Sequence, residues 1–117
     1  MIKLLSLALL LFTFSCSTLK DEDCTERNWK EQGFRDASKG YSDSMYETYL
    51  KVCEQEKSAS TLALYMEGYD IGAKKYCTLN KGILVGEAGR PYPEVCPKEQ
   101  FPEFNKGFLK GKKKTLK

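Results

Sequence analysis

Histidine is absent from all 117 residues. No imidazole can therefore serve as a general base, a proton shuttle or a metal ligand, and mechanisms built on one are excluded. Leu, Ile, Val and Phe are sparse: beyond residue 15 they number 17, too few to fill an interior unaided. Seven Tyr, one Trp and the cysteines must make up the deficit. The chain is too short for two separate cores, so one small domain is expected. Short Cys pairs are lacking as well. Cys24, Cys53, Cys77 and Cys96 are 29, 24 and 19 residues apart, which leaves no two-to-four-residue zinc knuckle and points to disulfides. No metal and no cofactor is expected.

What is present begins with a leader. Lys3 precedes an apolar run from Leu4 to Leu11, too short to span a bilayer permanently, and small Ser15 stands before Cys16. Residues 1–15 read as a secretory signal peptide and residues 16–24 as a polar tether. Five cysteines are odd for an exported chain, and removing Cys16 leaves an even four. Thr13-Phe14-Ser15-Cys16 resembles the bacterial lipoprotein cleavage motif through its last two residues, which implies a lipid anchor on Cys16. Several acyl chains at ~0.8 kcal/mol per buried methylene hold a protein on a membrane without a spanning helix. Ser17 after the lipidated Cys resembles the sorting residue for the outer membrane, with the domain facing the periplasm. Ordinary cleavage after Ser15 or Ser17 is the alternative, and would leave a secreted or soluble periplasmic protein.

Four helical segments follow, giving a mainly α, disulfide-stapled bundle. The first spans about residues 25–39 from a Thr25 cap and stops at Gly40. The second follows Ser44, which with Glu47 three residues on is expected to make a capping box, and carries Tyr46, Tyr49, Leu50 and Cys53 on one face. The third follows Ser58 or Ser60 and sets Leu62, Tyr65, Tyr69, Gly72 and Tyr76 at helical intervals; the fourth enters at Pro102 with Phe101, Phe104, Phe108 and Gly111 in register. Trp29 to Phe34, Tyr65 to Tyr69 and Phe104 to Phe108 each place Gly between two aromatics. Gly within a helix costs ~1 kcal/mol against Ala, so the recurrence needs a packing reason: either helix crossings in one bundle or a helical repeat.

Between Tyr76 and Pro97 the glycines and prolines are so dense that the segment reads as a long loop, with at most a short strand or helical turn over Gly82 to Val85. Pairing Cys77 with Cys96 would close it at a gain of ~3 kcal/mol, leaving Cys24 for Cys53. Three connectivities remain open on sequence grounds.

The series Trp29, Gly33, Asp36, Gly40, then Cys53, then Tyr65, Gly68, Gly72 and Tyr76-Cys77-Thr78, then Gly82, the Gly-Arg-Pro-Tyr-Pro block from Gly89, Val95-Cys96-Pro97, and finally Phe104, Gly107 and Gly111 closely resembles the bacterial lipoprotein family catalogued as domain of unknown function 2799. The likeness assigns residues 25–111 to one helical domain. It implies an exported, usually lipid-anchored envelope protein and leaves the biochemical task open.

Few residues invite chemistry. Asp36 and Asp70 are the carboxylates nearest the Gly and aromatic positions; they could form a catalytic pair, but capping or ion pairing with Arg35 or Lys74 is the simpler expectation. Arg90, with Tyr92 two residues on, could grip a carboxylate or phosphate bidentately, or pin its own loop by bonding local carbonyls. From Lys106 to Lys117 there are six Lys and no acid, while residues 16–105 carry 12 basic and 16 acidic groups. Residues 112–117 read as a basic tail, frayed at its end, suited to anionic lipid, lipopolysaccharide phosphate or peptidoglycan, or merely solvated. Export argues against nucleic acid. The expectation is a non-catalytic structural or interaction protein of the cell envelope, held at the membrane through Cys16 and in contact with envelope proteins, anionic lipid or peptidoglycan. An enzyme acting on, or a module binding, envelope glycans or lipids is the alternative.

Overall fold

The computed structural model describes residues 27–116. The reading of residues 1–15 as a signal, and those at Cys16, Cys24 and Thr25, lie outside them. Five helices run in the order α1 Trp29–Ser38, α2 Met45–Val52, α3 Ala59–Tyr76, α4 Leu79–Glu87 and α5 Pro102–Thr115, with no strand among the described residues. The protein is mainly helical, and one disulfide joins Cys77 to Cys96. Cys53 is not free, and its expected partner Cys24 is outside the described residues.

Local chemistry accounts for most of the boundaries. Asn28 caps α1, its side chain accepting from the Glu31 N–H at 3.1 Å, so the described helix starts at Trp29. Ser58 caps α3 and Thr78 caps α4 in the same way, on the Thr61 and Lys81 N–H groups. Pro102 opens α5 as expected. The capping box at Ser44 is not made. Its backbone is already right-handed helical, at φ −61° and ψ −14°, and turn carbonyls of Ser42 and Asp43 take the first N–H groups of α2. Glu47 pairs instead with Lys57 at 3.0 Å.

The expected long loop is also corrected. Nine of its residues form α4, whose glycines read as breakers in isolation but lie at a helix crossing. Two helix pairs build the molecule, α1 with α3 and α4 with α5. A Cβ at Gly33 would collide with the Tyr65 carbonyl, one at Gly68 with that of Lys30, and one at Gly72 with that of Phe34. In the second pair Gly82 and Gly86 meet the Phe104 and Phe108 carbonyls, while Gly107 and Gly111 meet those of Leu79 and Ile83. Each hydrogen that replaces Cβ thus points at a backbone oxygen across the crossing, a weak hydrogen bond repeated along both seams. The contacts advance together along the two helices, so both pairs cross in the parallel sense.

The correspondence extends further. Gly33, Ala37 and Gly40 have counterparts 49 residues on in Gly82, Gly86 and Gly89; Tyr65, Gly68, Tyr69 and Gly72 have counterparts 39 on in Phe104, Gly107, Phe108 and Gly111. Gly40 (φ +84°) and Gly89 (φ +68°) end α1 and α4 with the same left-handed turn. In one the Gly40 and Tyr41 N–H groups bond the Ala37 and Asp36 carbonyls, and in the other the Gly89 and Arg90 N–H groups bond those of Gly86 and Val85. The fold is an internal repeat of one glycine-seamed helix pair. A parallel pair needs a return segment between its helices: the first copy uses α2 and its flanks, the second a shorter irregular stretch fastened by Cys77–Cys96.

Candidate functional site

Asp36 is the one charged residue of the described core, 2% exposed. Its carboxylate accepts from the Tyr65 hydroxyl at 2.8 Å, the Tyr49 hydroxyl at 2.9 and 3.0 Å, and the Gln32 amide at 2.9 Å. Arg27 donates to the Gln32 side-chain oxygen at 2.8 Å and lies 4.3 Å above the Tyr49 ring, adding positive charge one residue removed. Burial, then the bond to Asp36, pushes the Tyr49 phenol up to about 12, and the same causes raise Tyr65. Burial raises Tyr69 too, and its hydroxyl donates to the Tyr41 carbonyl at 2.7 Å. Tyr49 and Tyr65 stay protonated as donors to the Asp36 carboxylate. Asp70 is exposed and is not among the partners of Asp36, so the two do not form a pair. Arg35 pairs with Glu31 at 3.3 Å rather than with Asp36. The cluster is a fastening of α1, α2 and α3.

The second copy has an open site where the first is filled. Over Gly40, the ring of Tyr76 stands so close that an added Cβ would meet it at 2.7 Å; over Gly89, nothing lies within 4 Å. The counterpart of Tyr76 is Thr115, which is too short to cover the turn. A groove of about 610 Å³ results, running from the Gly89-Arg90-Pro91 turn along α5. Three cations line it, Arg90, Lys98 and Lys112, and no carboxylate does. Tyr92 and Phe108 form its aromatic wall, edge to face with centroids 5.1 Å apart.

Each wall residue is held from behind. The Tyr92 hydroxyl donates to the Cys96 carbonyl at 2.6 Å, beside the disulfide, and its ring also meets Phe104 edge on at 5.5 Å. Lys98 lies 5.2 Å from the Tyr92 ring. Arg90 is anchored by its backbone N–H to the Val85 carbonyl, while its exposed guanidinium makes no hydrogen bond or ion pair among the described residues. The expected pinning of the loop through that guanidinium is therefore not made, and the charge faces the groove. Its field partly offsets the burial that raises the Tyr76 phenol.

Of the residues singled out in the sequence, Arg90 and Tyr92 meet in this groove, Asp36 lies in the other helix pair's core, and Asp70 is on the surface. Lys98 was not anticipated, and Lys112 was anticipated only within a basic tail suited to anionic groups, not beside Arg90. The signal that could have found them is the 39-residue register, which exposes the Tyr76 to Thr115 exchange. The segment read as a basic tail from residue 112 is helical through Thr115 and supplies one side of the groove. No helix among the described residues is long and apolar enough to cross a membrane. No curated protein and no solved structure matches the chain. The match that exists covers residues 28–113, the whole of both helix pairs but for the last turn, and by it the chain belongs to the family described as Protein of unknown function (DUF2799).

Proposed function

We propose that this protein is a small envelope component, lipid-anchored at Cys16 and facing the periplasm, whose role is to bind anionic envelope material without transforming it. The observation that carries this reading is the groove of Arg90, Lys98 and Lys112 with an aromatic wall and no acid in its lining. Three uncompensated cations favour a phosphate or carboxylate, and Arg supplies the planar fork that holds such a group by two bonds. Tyr92 and Phe108 offer an apolar or sugar-ring face beside it. The ionisable groups of the lining are cations and a phenol already donating to the Cys96 carbonyl, a set suited to holding an anion.

Two measurements test the reading. Metabolic labelling with a palmitate analogue should mark the wild type and not Cys16→Ala; an unlabelled wild type removes the anchor. Sedimentation of the purified protein with isolated envelope fragments should be salt-sensitive and weakened by Arg90→Gln with Lys112→Gln. Equal sedimentation of wild type and variant removes the groove.

A further inference from the structure

The outward face of α5 carries a pattern that the groove alone does not require. Phe104, Gly107, Phe108 and Gly111 face inward, and Lys114 is tied to Glu87 of α4 at 3.0 Å. Leu109 and Leu116, seven residues apart on the opposite side, are 50% and 80% exposed. Helical spacing sets Lys112 on one flank of these two leucines and Lys106, Lys110 and Lys113 on the other. No acid follows Glu103. A helix lying in a bilayer interface needs that arrangement, an apolar strip flanked by lysines: apolar side chains inserted, ammonium groups at headgroup level. The groove opens on the same side, since Leu109, Lys112 and Leu116 line it.

We infer that α5 is a membrane-docking helix, which lays Leu109 and Leu116 into an anionic phospholipid bilayer and brings one phosphate headgroup into the groove between Arg90, Lys98 and Lys112. The inference rests on the binding reading above and names its ligand as the membrane surface itself. Charge complementarity selects the occupant: the face offers cations around an apolar strip, and an anionic leaflet offers phosphates around acyl chains. The lipid on Cys16 would hold the chain at the membrane, and a basic amphipathic face would fix the orientation of the tethered domain against it.

The test uses the purified full-length protein on vesicles of phosphatidylcholine, with or without phosphatidylglycerol, whose acyl chains are brominated near the headgroup. The indole introduced by Leu109→Trp should be blue-shifted and quenched on anionic vesicles only, and 1 M salt should release it. Leu116→Trp, at the most exposed position, reports independently should the first variant be misfolded by circular dichroism. Replacing Lys106, Lys110 and Lys113 by Gln should lower the docked fraction on the order of fivefold per lysine. Absence of quenching at both positions on anionic vesicles overturns the docking inference. In a parallel arm, isolated peptidoglycan and soluble glycerol phosphate are titrated against wild type and Arg90→Gln. Arg90-dependent binding there without quenching on vesicles defeats docking and keeps the binding reading; no Arg90-dependent binding there together with no quenching on vesicles defeats both.

Discussion

In the first helix pair Asp36 stands where the second has Val85, and Tyr65 and Tyr69 stand where the second has Phe104 and Phe108. Tyr65 and Phe104 are both 0% exposed, so the same buried place is filled once with a hydroxyl and once without. The hydroxyl is there because the carboxylate is there: Asp36 needs donors, and Tyr65 and Tyr49 supply them. With valine at that place, phenylalanine suffices, and Cys77–Cys96 fastens the return segment of this half. The glycines do not vary in this manner, except that Ala37 occupies the place of Gly86. Side-chain chemistry in a core is exchangeable when its partners change with it, whereas a backbone-to-backbone crossing admits only the smallest residues. The second difference lies on the surface. Tyr76 closes the first copy over Gly40, and its counterpart Thr115 leaves the second open over Gly89.

Breaking a seam should have the largest effect. Gly68→Ala drives a methyl into the Lys30 backbone carbonyl, which no rotamer change can relieve, and is expected to destabilise by ~3 kcal/mol or more; Gly107→Ala should do the same in the second pair. Gly89→Ala meets no neighbour and should cost only the left-handed backbone penalty of ~1–2 kcal/mol. Denaturant unfolding followed by circular dichroism distinguishes these, and equal losses at Gly68 and Gly89 would count against the crossing.

Converting one core into the other comes next. Asp36→Val leaves two buried hydroxyls without their acceptor and should cost roughly 3 kcal/mol. Adding Tyr65→Phe should recover part of that loss, a coupling that a double-mutant cycle measures directly. Additive losses would mean that the hydroxyl is not there for the carboxylate. Replacing Cys77 and Cys96 together by Ser should cost ~3 kcal/mol by the chain-entropy estimate and should weaken groove binding, since Tyr92 is held at Cys96.

Alkali should separate the halves more gently. The folded Tyr49 phenol is raised from 10.0 to about 12, so its contribution is fully present below pH 10 and is lost as pH rises from 10 through 12. Tyr65 is raised by the same causes and acts in the same direction. Across this window phenolate absorbance should rise as the unfolding free energy falls, and Asp36→Val should shift the Tyr49 transition downward, because the neighbouring carboxylate is one of its causes. The smallest expected change in stability is also the most informative about function. Thr115→Tyr should fill the groove as Tyr76 fills its counterpart, altering stability by no more than ~0.5 kcal/mol while weakening anion binding by at least ~tenfold. Unchanged binding would show that the groove is not the site.

Much of this was legible beforehand. Aromatic periodicity located three of the helices, and Pro102 and Ser58 marked two starts, because capping and burial act over a few residues and leave local traces. Cys77–Cys96 was one of three connectivities open on sequence grounds, suggested by the segment that it closes, and it is the one formed. The helix α4 was not legible, since Gly82 and Gly86 lower helix propensity and only the backbone of α5 explains them. Ser44 and Glu47 had the right spacing for a capping box, but the preceding turn took the N–H groups first. Arg90 and Tyr92 were found as site residues from their loop; that Lys98 and Lys112 join them was hidden, because these come from a return segment and a helix that meet only in the folded chain.

By itself, the sequence determined that imidazole chemistry is impossible here, that aromatics must carry the interior, and that helices form at the positions where aromatic spacing and caps agree. Composition and local hydrogen bonding decide such matters before any long-range contact exists. Only the tertiary structure decided that the glycines are seams and not breaks, that Asp36 is bonded between three helices and not paired with Asp70, and that one copy of the repeat is open. Those outcomes depend on which carbonyl, hydroxyl or ring arrives from a distant part of the chain, and a helix's own residues carry no record of the surface that will be pressed against them.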